Sequence, residues 1–496
     1  MDTGVGMKTT INCTQLTAAL SSMHGLECLQ KWLERCTNAN IEPHLVGGCL
    51  RDAALFVSKP QIDLDFIIQP FEKTKMATQY LSDLFDSHFF PLDEERSIYR
   101  IHTGALQCDI NGMRGKEIID DIFQRDFSMN SLYVPLSEFL HYAPLNAAQI
   151  PVIDLFQGYS DLIHKNIRAH NPATFQEDPL RILRAYRIAS QIEGTIDPAT
   201  YQLMIDSKQD LHQCAQERIR EEFIKIASHE KSHHYIFAME EAGIFSQIFP
   251  FFEWFVEVDQ CYTSWLQLKD HVKAGLYYLE GIFQRIHQGD FPYARELQSI
   301  LKTPLAGDCT VEVSMKIAIL LHDIGKPDTL RLMKDRLRFF EHENVGVKAA
   351  KEYLHSMHFS SKEVRFIADC IQWHMRPHNL SSVENLSKRA QYRFFRDTSP
   401  NSIPILLIAL ADAYATRMVP LQELPQYEDF IKNMLQYIFT PGIYQQTPLL
   451  DGHAIMAITG LSPGKQVGDL QKKILEEQGV GNITSKQEAE EWIKKN

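Results

Sequence analysis

The strongest constraint on the fold is a change of period along the chain. Between about 41 and 135, short apolar and β-branched runs recur at 43–46, 62–68, 99–102, 106–110 and 131–134, with one helical stretch near 72–86. Runs of this length and composition read as strands. After about 165 the strand signals fade and helical patterns dominate to the end. A small sheet-bearing head followed by a long helical body is therefore expected. Turn-rich breaks at Gly289-Asp290-Phe291-Pro292, Thr303-Pro304-Leu305-Ala306-Gly307 and Leu461-Ser462-Pro463-Gly464 punctuate the body. The 496 residues suffice for roughly three to four domains, and at 44% apolar they can bury sizeable cores.

Chemistry enters with the second run, Ile62-Asp63-Leu64-Asp65-Phe66-Ile67-Ile68. Successive strand side chains point to opposite faces, so Asp63 and Asp65 share one face and Leu64 and Phe66 take the other. Two carboxylates about 7 Å apart on one face suit a hard divalent cation such as Mg²⁺. In Leu106-Gln107-Cys108-Asp109-Ile110, Asp109 lies opposite the apolar face and is the natural third carboxylate. A two-metal phosphoryl-transfer site needs ligands for both ions and a base for the incoming hydroxyl. Gly47-Gly48 follows the first strand, where bare backbone N–H groups can approach a phosphate, and Arg51-Asp52 stands at the start of the next helix. Downstream, Arg125-Asp126 precedes a small polar segment that enters a strand; Arg125 can grip a triphosphate or ribose and Asp126 orient it.

The net charge of −13 is unusual for a protein that binds nucleic acid by charge alone, so any RNA contact must come from local basic surfaces. One such surface is predicted at 177–192, read as a single helix with Asp178 near its N-cap and Pro179 in the first turn. At about 100° per residue, Arg181, Arg184 and Arg187 fall within one arc of about 120°, opposite Ile182, Leu183, Ala185, Tyr186 and Ala189. A carboxylate only accepts hydrogen bonds and a guanidinium only donates them. Cytosine and adenine each present an exocyclic amine beside a ring-nitrogen acceptor, and uracil and guanine the reverse. An Asp178/Arg181 pair would therefore accept C and A and reject U and G, with Arg184 and Arg187 holding phosphate or positioning the pair.

The body carries a second constellation. His322-Asp323 ends an apolar helix stopped by Gly325 and Pro327, and His271, His342, His374 and Asp412 lie on either side in sequence. Such a His/Asp mixture suits a transition metal, Mn²⁺, Ni²⁺ or Fe²⁺, better than structural zinc. The nine cysteines are scattered without a C-x-x-C, as expected of a reducing cytoplasm rather than a disulfide framework. The N-terminus lacks a signal-peptide layout, and the longest apolar run, 403–411, is too short to span a bilayer. A cytoplasmic protein without membrane attachment is expected.

In order along the chain, Gly47-Gly48-x-x-Arg51-Asp52, Asp63-x-Asp65, Arg125-Asp126-Phe127-Ser128-x-Asn130-Ser131, 154–162 (DLFQGYSDL), 177–187 (EDPLRILRAYR) and 217–222 (ERIREE) together resemble the class II tRNA nucleotidyltransferase and bacterial poly(A) polymerase superfamily, over roughly residues 41–225. The resemblance implies an α+β fold: a polymerase-β-like nucleotidyltransferase head of mixed sheet and helices, then an elongated all-α neck, body and tail. It assigns Asp178 and Arg181 the same base-selecting role, as a protein template. His271…His322-Asp323…His342…His374…Asp412 resembles the HD phosphohydrolase domain of many such enzymes, either hydrolytic or retained as fold alone. The implied domains are a lead-in at 1–40, head at 41–164, neck at 165–258, HD-type domain at 259–420 and tail at 421–496. Two departures are the long loop at 56–61, without the customary glycine, and Gln124 in place of the first arginine of the usual R-R-D.

The tail resembles that of HD-containing CCA-adding enzymes and lacks the strongly basic extension more usual in a poly(A) polymerase. The resemblance thus implies addition of C and A from CTP and ATP to the 3′ end of tRNA. Relatives that add only A, only CC, or poly(A) share every head motif. A rival of another class, a metal-dependent phosphohydrolase whose head merely binds RNA, is opposed by the intact head carboxylates.

Overall fold

The computed structural model describes residues 9–55, 62–104, 106–143, 149–254, 267–333, 336–440 and 447–495, and the loop at 56–61 falls outside these. The chain divides into two units, Met1–Cys214 and Ala215–Asn496. In the first, the expected runs become strands β2 (Glu42–Val46), β3 (Ile62–Gln69), β5 (Ile98–Thr103), β6 (Leu106–Gly112) and β7 (Tyr133–Pro135), and the unexpected strands β1 (Thr9–Asn12), β4 (Phe89–Asp93) and β8 (Gln149–Val152) join them. Six form one sheet in the order β4-β5-β6-β3-β2-β7, while β1 pairs with β8. Strands β3 and β6 are parallel and the other neighbours antiparallel, so the sheet is mixed.

The buried face of β3 explains its central place. Leu64, Phe66 and Ile68 are buried, and Phe66 meets the ring of Trp32 edge-on at 4.9 Å. Trp32, on helix Gly25–Asn38, donates its indole N–H to Ala77 of helix Thr74–Leu84, which satisfies its polar atom inside the core. Strand β4 escapes the sequence pattern because Pro91 interrupts it, and it lies at the sheet edge, where a missing N–H costs least. The strand expected at 131–134 begins at Tyr133, because Ser128–Asn130 forms a 3₁₀ turn ahead of it.

One correction concerns the neck helix. It begins at Arg181 rather than Glu177, and a separate short helix spans Thr174–Glu177. Asp178 between them is extended (φ −150°, ψ 97°). The cause is Pro179, whose ring disfavours helical backbone in the preceding residue. Asp178 instead accepts the N–H of Leu180.

Among its described residues the second unit is helical apart from two small hairpins, Pro304–Ala306 with Cys309–Thr310 and Leu330–Met333 with Arg336–Phe339, which helical periodicity alone does not reveal. Helices Leu268–Gln288, Val311–Leu321, Ser361–Trp373 and Ser402–Arg417 pack together. Lys316 is fully buried among them, donating to the carbonyl of Ala227 and pairing with buried Glu280 at 2.8 Å. Burial alone would raise the Glu280 carboxyl, but His233 and Lys316 hold it below its ordinary value. Residues 447–495 close on a small core of Leu450, Ile455, Val467, Ile474, Ile483, Ala489 and Ile493. Among the described residues, no helix is long and apolar enough to cross a membrane.

Candidate active site and metal cluster

The parallel register of β3 and β6 sets Asp65 beside Asp109, with Asp63 two residues before Asp65 on the same face. The expected carboxylate triad is therefore assembled by sheet register. Burial raises the Asp65 carboxyl to about 6, with Asp109 adding to the effect and Arg125 opposing it. A cation relieves that crowding of negative charge, and the donors are all hard oxygens, so the residues fit Mg²⁺. Asp109 has a partner that sequence reading missed. Arg100, its cross-strand neighbour on β5, clasps both carboxylate oxygens at 2.7 Å. Its signal was an arginine on a strand opposite an acid, legible only once the register is known.

The glycine pair closes the site from above. Gly47 has φ +75° and ψ −138°, and a Cβ there would stand 3.1 Å from Asp65 Oδ2 and 3.6 Å from Arg125 Nη1. Gly48 donates its N–H to the Asp65 carboxylate. Arg51, 5% exposed, reaches Asp52 Oδ1 with Nε and Nη2, and Asn130 Oδ1 with Nη1 at 2.9 Å. Asn130 passes the connection on, donating to Asp126 Oδ1 at 3.0 Å, and Asp126 Oδ2 pairs with Arg184 at 2.8 Å. Although burial opposes it, Arg184, Asn130 and the Phe127 N–H bring the Asp126 carboxyl down to about 2. Arg125 donates Nε to Asp121 and to the Tyr133 hydroxyl, itself bonded to Asp121. Asn130 stood in a sequence motif without an assigned role, and Asp121 and Tyr133 were not singled out, because all three act by orienting charged partners.

These groups surround a cavity of about 590 Å³, within the range of small-molecule sites. It is lined by Gly47, Gly48, Arg51, Asp52, Asp63, Asp65, Asp109, Arg125, Asp126, Arg181, Arg184 and Arg187. The arginine face of the neck helix thus meets the carboxylates across one cavity. Asp178 is not among the lining residues. Arg181 turns its guanidinium toward the carbonyls of Thr174 and Gln124 and the carboxylate of Glu177. The 154–162 motif braces this end of the first unit. Asp154 accepts the N–H groups of Gly158 and Tyr159, Asp161 takes the Ser128 hydroxyl, and a Cβ on Gly158 would strike the Ser128 carbonyl.

In the second unit, His271, His322, Asp323, His342, His374 and Asp412 are all buried and converge. They come from the first turn of Leu268–Gln288, the end of Val311–Leu321, the start of His342–Ser356, the end of Ser361–Trp373, and the interior of Ser402–Arg417. The Nδ1 atoms of His322, His342 and His374 face the carbonyls of Ile319, Phe339 and Ile371 at 2.8, 3.0 and 2.7 Å. A carbonyl only accepts, so each Nδ1 carries the proton and each Nε2 offers a lone pair inward. Nε2 atoms of His271 and His322 are 3.3 Å apart, and those of His342 and His374 3.2 Å apart. Paired imidazole donors of this kind fit a transition metal. Burial, reinforced by His322, pushes His374 down to about 3, so its ring is neutral and ready to ligate. Asp323 and Asp412 lie well below the carboxylate range despite burial, held there chiefly by His322 and Lys326 and by His378 and His271. Lys326, 2.6 Å from Asp323, and His378, 2.8 Å from Asp412, were missed from sequence. The Lys326 signal lay in view, three residues after Asp323 in HDIGKP.

Comparison with known proteins matches three segments. The poly A polymerase head domain matches residues 43–168, the probable RNA and SrmB-binding site of polymerase A matches 195–255, and the HD domain matches 293–417. The last excludes His271, which the fold nonetheless brings to the cluster. The chain is 25% identical to an A-adding tRNA nucleotidyltransferase of Deinococcus radiodurans, over 91% of this chain and 94% of the relative. It is 26% identical to a CC-adding tRNA nucleotidyltransferase of Geobacter sulfurreducens, over 91% of each. Its fold is similar to that of the Thermotoga maritima CCA-adding enzyme complexed with tRNA, with a TM-score of 0.64 at 18% identity over 99% of both chains.

Proposed function

Because the chain belongs to the superfamily of tRNA nucleotidyltransferases and poly(A) polymerases, in its HD-containing form, we propose that it adds C and A from CTP and ATP to the 3′ end of tRNA without a nucleic-acid template. The observation that carries this reading is the single cavity in which the Asp63/Asp65/Asp109 triad faces the Arg181/Arg184/Arg187 helix. Asp63 and Asp65 would hold Mg²⁺, which would supply positive charge to neutralise the triphosphate. Arg125, oriented by Asp121 and Tyr133, and Arg51, oriented by Asp52 and Asn130, hold the phosphates and ribose. Asp109, steadied by Arg100, stands where it can accept the proton of the 3′-hydroxyl or complete the oxygen donor set. Asp178 and Arg181 would choose the base by hydrogen-bond pattern, an acceptor for the exocyclic amine and a donor for the ring nitrogen, once nucleotide binding turns Asp178 toward the cavity it does not line and frees Arg181 from Glu177.

The deciding assay offers transcripts ending before C, before the second C and before A, with each labelled nucleotide in turn, and measures product length at single-nucleotide resolution. Stepwise extension to CCA is expected, and no extension of any transcript would overturn the reading. A second reading, addition of CC alone or A alone, is favoured by the full-length relatives, named A-adding and CC-adding; the same gel reports it as extension of one class of transcript. For the second unit, hydrolysis of phosphoesters at a transition-metal site is the activity supported by the convergent His/Asp cluster.

A further inference from the structure

We infer that Arg100 is a positioning residue that holds Asp109 in place of a cation and so weakens the grip of the head carboxylates on their divalent ion. The inference deepens the proposed Mg²⁺-dependent reading of the head and rests on it. Sheet register supplies the first observation. Arg100 of β5, Asp109 of β6 and Asp65 of β3 are successive cross-strand partners, so one row of the sheet reads cation, anion, anion. Side chains in such a row share a face and stand about 5 Å apart. The adjacent row sets Asp63 against the neutral Gln107. The β5–β6 register runs without a shift from Ile98 opposite Asn111 to Thr103 opposite Leu106, which pins the Arg100–Asp109 pair.

The contact itself is the second observation. Arg100 Nε donates to Asp109 Oδ1 and Nη2 to Oδ2, each at 2.7 Å. The fork takes up a lone pair on both oxygens, so Asp109 cannot chelate a cation through the two together while the clasp lasts.

Charge and place supply the third. The side chains of Arg100 and Asp109 are 32% and 19% exposed, so water screens the pair only in part. Hydrogen bonding to Asp109, followed by the charges of Asp109, Asp63 and Asp65, raises the Arg100 guanidinium above its ordinary value against partial burial. Arg100 thus answers to all three carboxylates. Yet it is not among the residues lining the cavity, whereas Asp109, Arg125 and Arg184 are. It therefore acts on the nucleotide only through Asp109. A cation so placed competes with a divalent ion for Asp109 and repels it. Removing Arg100 should have two effects of opposite sign, a tighter ion and a looser Asp109.

The experiment uses the full chain and equilibrium dialysis against Mn²⁺, with the Asp63→Ala/Asp65→Ala double variant marking which part of the isotherm belongs to the head. Arg100→Gln should bind the head ion roughly tenfold more tightly than the wild type. Its kcat for CTP addition should fall roughly ten- to a hundredfold, because Asp109 is no longer oriented, with KM for CTP little changed. Arg100→Lys, which keeps the charge but not the fork, should keep the wild-type affinity. Arg100→Met takes the place of Arg100→Gln if a thermal melt shows that variant misfolded. Unchanged or weaker Mn²⁺ binding in the neutral variant, an unchanged kcat, or equal tightening in Arg100→Lys would overturn this inference and leave the head reading standing. Equal Mn²⁺ uptake by the wild type and the Asp63→Ala/Asp65→Ala variant would overturn both.

Discussion

The two acidic centres of this chain solve opposite problems. In the head, carboxylates are set side by side and ringed by arginines, with Asp65 raised to about 6 by burial and by Asp109, against the pull of Arg125. In the helical unit, carboxylates sit among imidazoles and are held well below their ordinary range. The first is an oxygen-only donor set on a sheet, facing an open cavity; the second is nitrogen-rich and sealed between helices. In the proposed reading, ligand type alone sorts the ions, since oxygen donors suit Mg²⁺ in the head and the nitrogen-rich set suits a softer ion in the body.

The sharpest way to break this contrast is to remove one donor from each centre in turn. Asp63→Ala or Asp65→Ala should reduce nucleotide addition by at least roughly a thousandfold while leaving the fold and tRNA binding intact. Normal turnover of either variant in Mg²⁺ buffer would refute the head assignment. His322→Ala or Asp323→Ala should eliminate Mn²⁺- or Ni²⁺-supported phosphoester hydrolysis and leave nucleotide addition within about twofold, since the ligand sets share no residue. If the wild-type protein hydrolyses no phosphoester with either ion, the cluster is structural and the contrast is one of architecture alone.

Smaller effects refine the head. Asp178→Ala should lower discrimination against UTP and GTP by about ten- to a hundredfold, because an unmatched polar partner in a dry site costs on the order of 1–3 kcal/mol. Steady-state selectivity for the four nucleotides reads this directly. Unchanged preference would reduce Asp178 to a turn residue that accepts the Leu180 N–H. Gly47→Ala should cost about 1–3 kcal/mol of unfolding free energy, since φ +75° with ψ −138° strains an L-residue and its Cβ crowds Asp65. Chemical denaturation measures it, and a change under about 0.3 kcal/mol would mean the turn relaxes freely.

Sequence alone revealed the parts of each site that are regular or come in short motifs. Asp63 and Asp65 were legible because a strand alternates, and Arg181, Arg184 and Arg187 because a helix turns. What escaped depends on pairing between distant segments. Arg100 becomes meaningful only through its register opposite Asp109, and Asn130 only through simultaneous contact with Arg51 and Asp126. The start of the neck helix was misplaced although the rule that moves it, a proline restricting the residue before it, was visible at Asp178-Pro179. The hairpin at Leu330–Phe339 hid behind helical periodicity on both sides.

The connected run Asp52–Arg51–Asn130–Asp126–Arg184 has an evolutionary consequence. Each contact joins groups that are wholly or partly withdrawn from water, so replacing one member strands a donor or acceptor at a cost of about 1–3 kcal/mol. Drift at these positions should proceed by compensated double steps. In an alignment of relatives, positions 51 and 130, and positions 126 and 184, should vary together more often than their distance along the chain suggests. A lineage that lost Arg184 while keeping Asp126 would need a new cation delivered to the same carboxylate.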